Sequence, residues 1–284
     1  MSLVLCLVCG GACVTSELPG LLRCNSCGFV TTDILLARED LEKLYGANYF
    51  AGEEYMDYVS ERELIEKNFR IRLKKLLQHI SGAGKKRLFE IGCAYGFFLS
   101  IAREHFASVA GIDISAAAAT YAAETLGLAV RAGDFIEYEF IEEPDVVCLW
   151  DTIEHLQKPD LYLEKAAAHL NTGGIIALTT GDIGSFVARL RGARWRQVHP
   201  PTHLHYFSKK SLTCLLEKHG FRLRYCGYDG MYRNVETMAY IILNIRHNCS
   251  QLYAALKRMG LLKWDLYLNL HDIMFVIAEK TSSS

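Results

Sequence analysis

The stretch Arg87-Leu88-Phe89-Glu90-Ile91-Gly92-Cys93-Ala94-Tyr95-Gly96-Phe97-Phe98-Leu99 decides the fold of this chain. Residues 87–91 form a short apolar run with one acid, which predicts a buried parallel strand. The small residues Gly92, Ala94 and Gly96 allow a sharp turn and close approach of a ligand to the backbone. A helical pattern resumes over 97–106. The stretch therefore predicts a nucleotide-binding corner, with an ordinary strand-to-helix turn as the alternative.

Downstream, strand and helix patterns alternate with short turns, which is typical of an α/β fold with a parallel sheet covered on both faces. Ser115 is expected to cap a helix that follows the second strand. The predicted strands are 107–113, 128–131, 144–150, 175–180, 221–228 and about 272–278, and the predicted helices are 115–126, 160–170 and 208–219.

Acidic residues follow three of these strands: Asp113, Asp134 and Asp151. The carboxyl ends of parallel strands share one edge of the sheet, where ligands bind. Asp113 lies 21 residues after Gly92, a spacing that suits a carboxylate on the ribose hydroxyls of an adenosine group. Phe97 stands where a dinucleotide fingerprint has its third glycine. The pattern therefore favours S-adenosylmethionine over a dinucleotide.

With these motifs in order, the chain resembles the class I S-adenosylmethionine-dependent methyltransferases over roughly residues 45–280. The resemblance also includes Leu170-Asn171-Thr172-Gly173-Gly174 and departs at Ala94, where the family usually has glycine. It implies a seven-stranded Rossmann-like sheet and direct in-line transfer of a methyl group to an oxygen, nitrogen or carbon nucleophile. The cofactor-binding residues that it implies are Glu90, Gly92, Ala94, Gly96, Asp113, Ile114, Asp134, Phe135, Trp150 and Asp151.

Two CxxC pairs, Cys6/Cys9 and Cys24/Cys27, lie near the start of the chain, with 14 residues between them and a glycine after each pair. Two such knuckles can close a tetrahedral Zn²⁺ site with no open position, so we expect a structural zinc rather than a catalytic one. Cys13 breaks the spacing and is expected to be a free thiol. A redox pair is the alternative, but it needs only one CxxC and a surrounding strand-helix-strand unit.

The run Asp151-Thr152-Ile153-Glu154-His155-Leu156 resembles that of ubiquinone-type O-methyltransferases, in which a related cluster can hold a divalent cation. This resemblance implies a cation at Asp151, Glu154 and His155, approached by His203 or His205. His155 is alternatively a metal-free general base, or part of a structural Glu–His pair. The predicted catalytic residues are His155, His203 and His205.

Residues 182–207 interrupt the alternating pattern with four arginines, a tryptophan and three histidines. Because the segment follows the fifth strand, we expect it to cover the ligand edge as a substrate lid, or else to be a basic surface loop. Arginines recognise carboxylates and phosphates, including those of nucleotide-linked sugars. The predicted substrate-binding residues are Trp195, Arg196 and Tyr206.

The predicted organisation is a zinc-ribbon-like module (1–37), a helical cap and linker (38–82) and the methyltransferase domain (83–284), with a helical insert at 235–262. The cap contains a short helix at 40–45 and a long amphipathic helix at 60–80. Tyrosines around it are boundary packing or an aromatic cover over a ligand.

The 284 residues carry a net charge of −1 and no apolar run long enough to span a membrane, so no membrane partner and a reducing, cytoplasmic compartment are expected. The predicted acceptor is a small molecule or a glycan. Two alternatives are an RNA base methyltransferase with a zinc-binding recognition module and a non-catalytic S-adenosylmethionine-binding protein. The basic patch of the RNA enzyme would consist of the arginines of 182–207 together with Lys74, Lys75, Lys85, Lys86 and Arg87. Nucleic acid is disfavoured by the near-neutral charge.

Overall fold

The computed structural model describes residues 4–37, 40, 44 and 58–281, and within them it confirms an α/β methyltransferase fold. Most of the predicted helix at 40–45 lies outside the described residues. The strands are β1 Cys13–Thr15, β2 Leu22–Cys24, β3 Val30–Thr31, β4 Arg87–Ile91, β5 Ser108–Asp113, β6 Ala129–Ala132, β7 Val146–Trp150, β8 Ile175–Gly181, β9 His205–Tyr206, β10 Phe221–Tyr228, β11 Met231–Asn234, β12 Asp265–Leu268 and β13 Ile273–Lys280. The α-helices are α1 Arg62–Gln78, α2 Phe97–Ala102, α3 Ala116–Glu124, α4 Pro159–His169, α5 Phe186–Arg191, α6 Lys209–Lys218, α7 Val235–Ala239 and α8 Ser250–Arg258.

The central sheet has seven strands in the order β10-β13-β8-β7-β4-β5-β6. The strands from β8 to β6 pair in parallel, whereas β13 runs antiparallel between β8 and β10. The order reverses between β4 and β7, because the chain runs outward from β4 to β6 and then returns to β7. The carboxyl edge at this reversal is where ligands bind in open α/β sheets.

Both faces of the sheet are buried, which explains why β7 and β8 are apolar along almost their whole length. Alternate residues point to opposite faces. On one face Leu88, Trp150 and Phe275 pack under Leu73 and Leu76 of α1. On the other face the residues that pack together include Phe89, Val147, Leu163, Leu178 and Val276.

Two helix predictions differ in detail from the structure. The helix expected over 97–106 ends at Ala102 and continues as turns. Ser115 does precede α3, but its hydroxyl makes no capping bond. Instead, the Ser115 N–H donates to the Asp113 carboxylate at 2.8 Å. The acid at the strand end thus takes over the role expected of the serine.

The N-terminal lobe, residues 4–37, contributes three short antiparallel strands to a four-stranded sheet. The fourth strand is β9, whose Tyr206 pairs with Val30 and whose His205 pairs with Thr31. The lobe therefore shares a sheet with the predicted lid segment, residues 182–207. The domain boundaries at 37 and 82 stay predictions.

Two insertions leave the carboxyl edge of the central sheet, the lid segment after β8 and residues 229–272 after β10. Because β10 and β8 are both antiparallel to β13, they end at the same edge. The second insertion contains the antiparallel strand pair β11–β12 and, between these two strands, α7, a π-helical turn and α8. Within the described part of the chain, no helix has the length and apolar character to cross a membrane.

Candidate cofactor and acceptor site

The turn after β4 is shaped by two glycines that admit no side chain. A Cβ on Gly92 would lie 2.6 Å from the Thr152 side chain, and one on Gly96 would lie 2.7 Å from Leu128. Both residues have positive φ angles, which glycine adopts without strain. Ala94 also has a positive φ, of 46°, so the alanine occupies a backbone conformation that favours glycine. The corner thus keeps the shape of a glycine-rich turn despite the substitution.

Asp113, at the end of β5, holds this turn in place. Its carboxylate accepts the Ala94 N–H at 2.7 Å and the Ser115 N–H at 2.8 Å. Burial nevertheless raises the pKa of Asp113, because desolvation disfavours the charged form. Each carboxylate oxygen keeps a second lone pair that a ribose hydroxyl can use.

Glu90 lies one residue before the end of β4 and is 1 % exposed. Among the described residues its Oε2 has no hydrogen-bond partner. Burial, and then the nearby charge of Asp113, raise the pKa of Glu90 well above its usual range. Two buried carboxylates with an orphaned oxygen fit a cationic ligand, and S-adenosylmethionine carries an ammonium and a sulfonium. The residues present therefore fit this cofactor.

The other predicted cofactor residues lie at different depths around the corner. Asp134 accepts hydrogen bonds from the Ile136 N–H and the Tyr162 hydroxyl, and Ile114 is half-buried. Phe135 is buried against the Phe89 ring. A contact of these side chains with the cofactor stays a prediction.

Trp150 is 5 % exposed, with its ring stacked on Phe275 and edge-on to Phe98. The Arg72 guanidinium lies 5.7 Å from the centre of its ring. Its indole N–H has no partner in the part of the chain that the structure describes. Trp150 therefore forms a wall of the sheet core, and a role beside the sulfonium stays a prediction.

Asp151, directly after β7, is tied to helix α1. Arg72 donates to its Oδ2 at 2.6 Å and the Thr179 hydroxyl to its Oδ1 at 2.9 Å. Burial raises the pKa of Asp151, but the Arg72 cation more than offsets this, so the net pKa lies below its usual value. Asp151 is therefore ionised at neutral pH.

A small cavity opens beside this ion pair, between α1, the end of β8, β11 and β13. Its polar lining includes both signs of charge, Arg72 and Asp229, as well as Thr179. The residues that line it are Asn68, Ile71, Arg72, Thr179, Asp229, Gly230, Met231, Ile273 and Phe275.

A second group of polar residues lies on the other face of β8. The potential ligand atoms of Glu154, His155 and His203 all lie within 4.8 Å of one another. The His155 and His203 rings are 4.6 Å apart, and the His199 ring lies 3.8 Å from that of His203. Together with Thr180 and Trp195, Glu154 and His203 line a cavity of about 160 Å³.

The predicted cation set needs correction here. Asp151 does not join this cluster, because Arg72 and Thr179 occupy its oxygens. His203 takes its place beside Glu154 and His155. The set that fits a divalent cation is thus one carboxylate and two imidazoles.

Burial sets the protonation of this cluster. Desolvation, and then the charge of Asp151, raise the pKa of Glu154 to about 8. Desolvation lowers the pKa of His155 to about 4 and that of His203 further. His155 Nδ1 donates to the Thr202 carbonyl at 2.8 Å. At neutral pH the histidines are uncharged, which is the form that accepts a proton or binds a metal.

His205 is not one of the three clustered ligands, although it lines the same pocket as Glu154 and His203. Its Nδ1 lies 2.9 Å from the Thr31 hydroxyl of the lobe, and its ring packs on Phe29. Desolvation lowers the pKa of His205 to about 4. The backbone N–H groups of Leu204 and His205 both donate to the Glu154 carbonyl. The structure thus places His205 as a link between the lobe and Glu154, and a catalytic role for it stays a prediction.

The predicted substrate residues of the lid segment are held by the protein itself. Trp195 is 2 % exposed and donates to Asp272 at 2.9 Å, and Arg196 donates to the same carboxylate. Tyr206 is buried and donates to the His203 carbonyl. Trp195 and Tyr206 also line the 160 Å³ cavity. Their role in substrate binding stays a prediction.

The four cysteines of the lobe come together as their spacing predicts. Cys6 and Cys27 have their sulfurs 3.6 Å apart, and Cys9 and Cys24 have theirs 3.4 Å apart. A tetrahedral zinc with Zn–S bonds of about 2.3 Å sets neighbouring sulfurs roughly 3.8 Å apart. Burial raises the pKa of the Cys27 thiol to about 11, a shift that a bound cation would reverse. The four sulfurs fit one zinc ion.

Sequence reasoning missed Arg72, Thr31 and Asp229. Arg72 carries a usable signal, because it lies on the apolar face of α1 with Phe69 and Leu76, where a cation needs a partner. Thr31 and Asp229 carry no such signal in the sequence, because each is bonded to a residue that is distant in the sequence.

The family model for a methyltransferase domain matches residues 60–225, which is more than half of the chain. A ubiquinone biosynthesis O-methyltransferase of Nitrobacter winogradskyi is 32 % identical over 99 residues, which span 33 % of this chain and 38 % of that enzyme. The match thus covers well under half of that relative.

Solved structures share the fold at low identity. The magnesium protoporphyrin IX methyltransferase of Synechocystis PCC 6803, with bound SAH, has a TM-score of 0.56 at 11 % identity, covering 86 % of this chain and 100 % of that one. An S-adenosylmethionine-dependent methyltransferase of Thermotoga maritima has a TM-score of 0.52 at 17 % identity, covering 79 % and 94 %.

Proposed function

This chain belongs to the methyltransferase domain family, and we propose that it transfers a methyl group from S-adenosylmethionine to a small molecule or a sugar-type compound. The proposed reaction is in-line attack of an oxygen, nitrogen or carbon nucleophile on the methyl group. The observation that carries the proposal is the cavity beside Asp151, which lies at the carboxyl edge of the sheet and has charged, polar and apolar side chains in its lining.

Residues of the corner would hold the cofactor. Gly92 and its turn would bind the methionyl part, Glu90 would bind the ammonium through the oxygen that has no partner among the described residues, and Asp113 would bind the ribose. The bound sulfonium supplies an already activated methyl group. The protein therefore needs chiefly to align the nucleophile and to remove its proton.

The acceptor occupies the cavity between α1 and the strand pair β11–β12. Asp229 has one oxygen, Oδ2, without a partner among the described residues, which can bind a polar end of the acceptor, and Phe275 and Ile273 offer apolar contact. The RNA alternative is less well supported, because two of the cations it needs are engaged. Lys75 pairs with Asp229, and Arg87 donates to the Glu143 carbonyl.

The cluster of Glu154, His155 and His203 lies on the other face of β8 from this cavity, so it does not reach an acceptor bound there. The three residues would hold a divalent cation. The neutral His155, oriented by the Thr202 carbonyl, is the proposed proton acceptor only for a nucleophile that binds on the cluster's own side of β8. In the lobe, we propose a structural zinc at Cys6, Cys9, Cys24 and Cys27.

The test measures transfer of a labelled methyl group from S-adenosylmethionine to three sets of acceptors: small hydroxyl and amino metabolites, nucleotide sugars, and total RNA. We expect label in a small molecule or a nucleotide sugar. Label in RNA alone would overturn the proposal, and absence of transfer to all three sets would favour the non-catalytic alternative.

A cavity-filling variant then locates the acceptor. Met231→Trp should lower kcat/KM for the acceptor by about tenfold or more, since overfilling a packed site excludes its ligand, while SAH affinity stays unchanged. Met259→Trp is the matched control, because Met259 is 61 % exposed and does not line the cavity. Equal activity of both variants would place the acceptor elsewhere.

A further inference from the structure

The second insertion carries a surface that the described residues leave exposed. Six of its large apolar side chains are 40–61 % exposed: Ile241, Ile242, Leu252, Met259, Leu261 and Trp264. Neither α7 nor α8 contains a buried residue. We call these six side chains the insert surface. Scattered exposed apolar residues are ordinary, but a group of this size on one short segment marks an interaction site.

The insert does not need these side chains to hold itself together. The rings of Tyr240 and Tyr253 pack edge to face, 5.4 Å apart, and Lys257 pairs with Glu236 at 2.6 Å. The Val235 N–H donates to the Trp264 carbonyl. Polar and ring contacts thus fix the helices while the apolar side chains face outward.

Within the insert, the charged side chains of the stretch 237–264 are all positive. Between Glu236 and Asp265 the sequence has no acidic residue and four cations, Arg246, Lys257, Arg258 and Lys263. The whole chain, by contrast, is almost neutral. Leu, Ile, Met and Trp side chains beside lysines and arginines are the composition of helices that lie in the interface of an anionic membrane.

We propose that the insert surface docks the protein on an anionic lipid bilayer as a peripheral contact. Trp264 and Leu261 enter the headgroup region, and Arg258 and Lys263 meet the lipid phosphates. The expectation of no membrane partner came from the charge of the whole chain, which conceals this local excess. The insert leaves the same sheet edge as Asp113 and Asp151, so docking turns the ligand edge toward the bilayer.

A second copy of the chain is the competing occupant. A two-fold symmetric contact would set the same patch against itself and bring the cations of both copies together. Glu236 pairs with Lys257, but residues 237–264 include no acid to neutralise Arg258 and Lys263, so this contact is disfavoured. An anionic bilayer satisfies both the apolar side chains and the cations.

The test is co-sedimentation of the full-length protein with phosphatidylcholine vesicles, with and without phosphatidylglycerol. We expect binding only to the anionic vesicles, weakened by added salt because exposed charges are screened. The combined variant Met259→Ser, Leu261→Ser, Trp264→Ser should bind at least about tenfold more weakly. Arg258→Glu with Lys263→Glu should also bind about tenfold more weakly.

Ile141→Ser is the matched control, because Ile141 is 88 % exposed and precedes β7 at the opposite edge of the sheet. SAH affinity and thermal unfolding of all variants should equal those of the wild type, which excludes misfolding. The proposal is overturned if the wild type does not bind anionic vesicles, or if the combined variant binds them as tightly as the wild type does. It is also overturned if the wild type forms a dimer that the combined variant loses while neither binds vesicles.

Discussion

The cofactor corner and the contact between the N-terminal lobe and the lid segment differ in how far apart in the sequence their bonded residues lie. The corner is built by neighbours in the sequence: Ala94 reaches Asp113 across 19 residues, and Asp113 reaches Ser115 across two. The lobe contact joins Thr31 to Leu204 and His205 across 173 and 174 residues. The first is a local turn locked by one carboxylate, and the second is a non-local pairing of two very short strands.

This difference predicts that the two regions fail separately. The corner binds the methyl donor, whereas the lobe contact fixes the backbone that carries Glu154 and His203. A substitution in one region should not change the property measured for the other, because the two regions share no side chain in the bonds described above.

The largest expected effect comes from the zinc site. Cys24→Ser with Cys27→Ser should remove the zinc and lower the free energy of unfolding by several kcal/mol, since metal binding is coupled to folding. SAH affinity of the protein that remains folded should stay near the wild-type value. Elemental analysis, chemical denaturation and calorimetry measure the three quantities.

Cys13→Ala is the matched control, because Cys13 is a buried lobe cysteine outside the four-sulfur cluster. It should retain a full zinc content. A wild-type protein without stoichiometric zinc would contradict the assignment, and so would a loss of SAH affinity that accompanies zinc removal alone.

Asp113→Ala tests the corner. It removes both backbone hydrogen bonds and the ribose ligand, so SAH should bind about 100-fold more weakly, or about 2.7 kcal/mol. Zinc content should not change. Calorimetry measures the affinity, and an unchanged dissociation constant would refute the role of Asp113.

Glu90→Gln tests the same corner through the pH dependence of stability and of cofactor affinity. Burial raises the folded-state pKa of Glu90 above its unfolded value, so its contribution to stability is present at low pH and lost as pH rises through the folded pKa. The wild type should therefore lose stability with rising pH relative to the glutamine variant. Because a cationic ligand favours the carboxylate, wild-type cofactor affinity should rise over the same range.

The glutamine variant should bind the cofactor about tenfold more weakly at neutral pH, the loss of one charge-assisted hydrogen bond. Calorimetry and thermal unfolding between pH 5 and 8 measure both effects. Parallel pH profiles of the two proteins would show that Glu90 does not titrate in binding.

The smallest effect is expected at the lobe contact. Thr31→Val removes the hydroxyl beside His205 and should lower the free energy of unfolding by about 1 kcal/mol. Thr32→Val is an internal control, because the buried Thr32 hydroxyl has no partner among the described residues. Only Thr31→Val should also slow methyl transfer, with SAH affinity unchanged. Equal effects of both variants would contradict a specific role for Thr31.

The sequence predicted the corner because its signals are contiguous. The strand, the glycines and Asp113 lie within one strand-turn-helix-strand unit, and the structure confirms that arrangement. The sequence also grouped Glu154 with His155 and left His203 or His205 as the approaching histidine, and the structure brings His203 to them. It placed Asp151 among them because spacing alone does not reveal that Arg72, on a helix far upstream, already holds that carboxylate.

The β3–β9 pairing could not be predicted in the same way. Strands of two residues have no periodicity to detect, and nothing in the run around His203 indicates that its partner lies in the cysteine-rich lobe. Trp195 illustrates the same limit, because its partner Asp272 lies 77 residues away. Aromatic and histidine-rich segments suggest ligands, but long-range contacts decide which side chains remain available for them.

The pairing of β3 with β9 also bears on how the protein is made. During synthesis the lobe leaves the ribosome first, yet the fourth strand of its sheet follows about 175 residues later, which at roughly 5–20 residues per second is a delay of tens of seconds. Through that interval the edge of β3 is unpaired, and such edges are prone to association with other chains. Early capture of a metal by the cysteines would keep the nascent lobe compact until its last strand arrives.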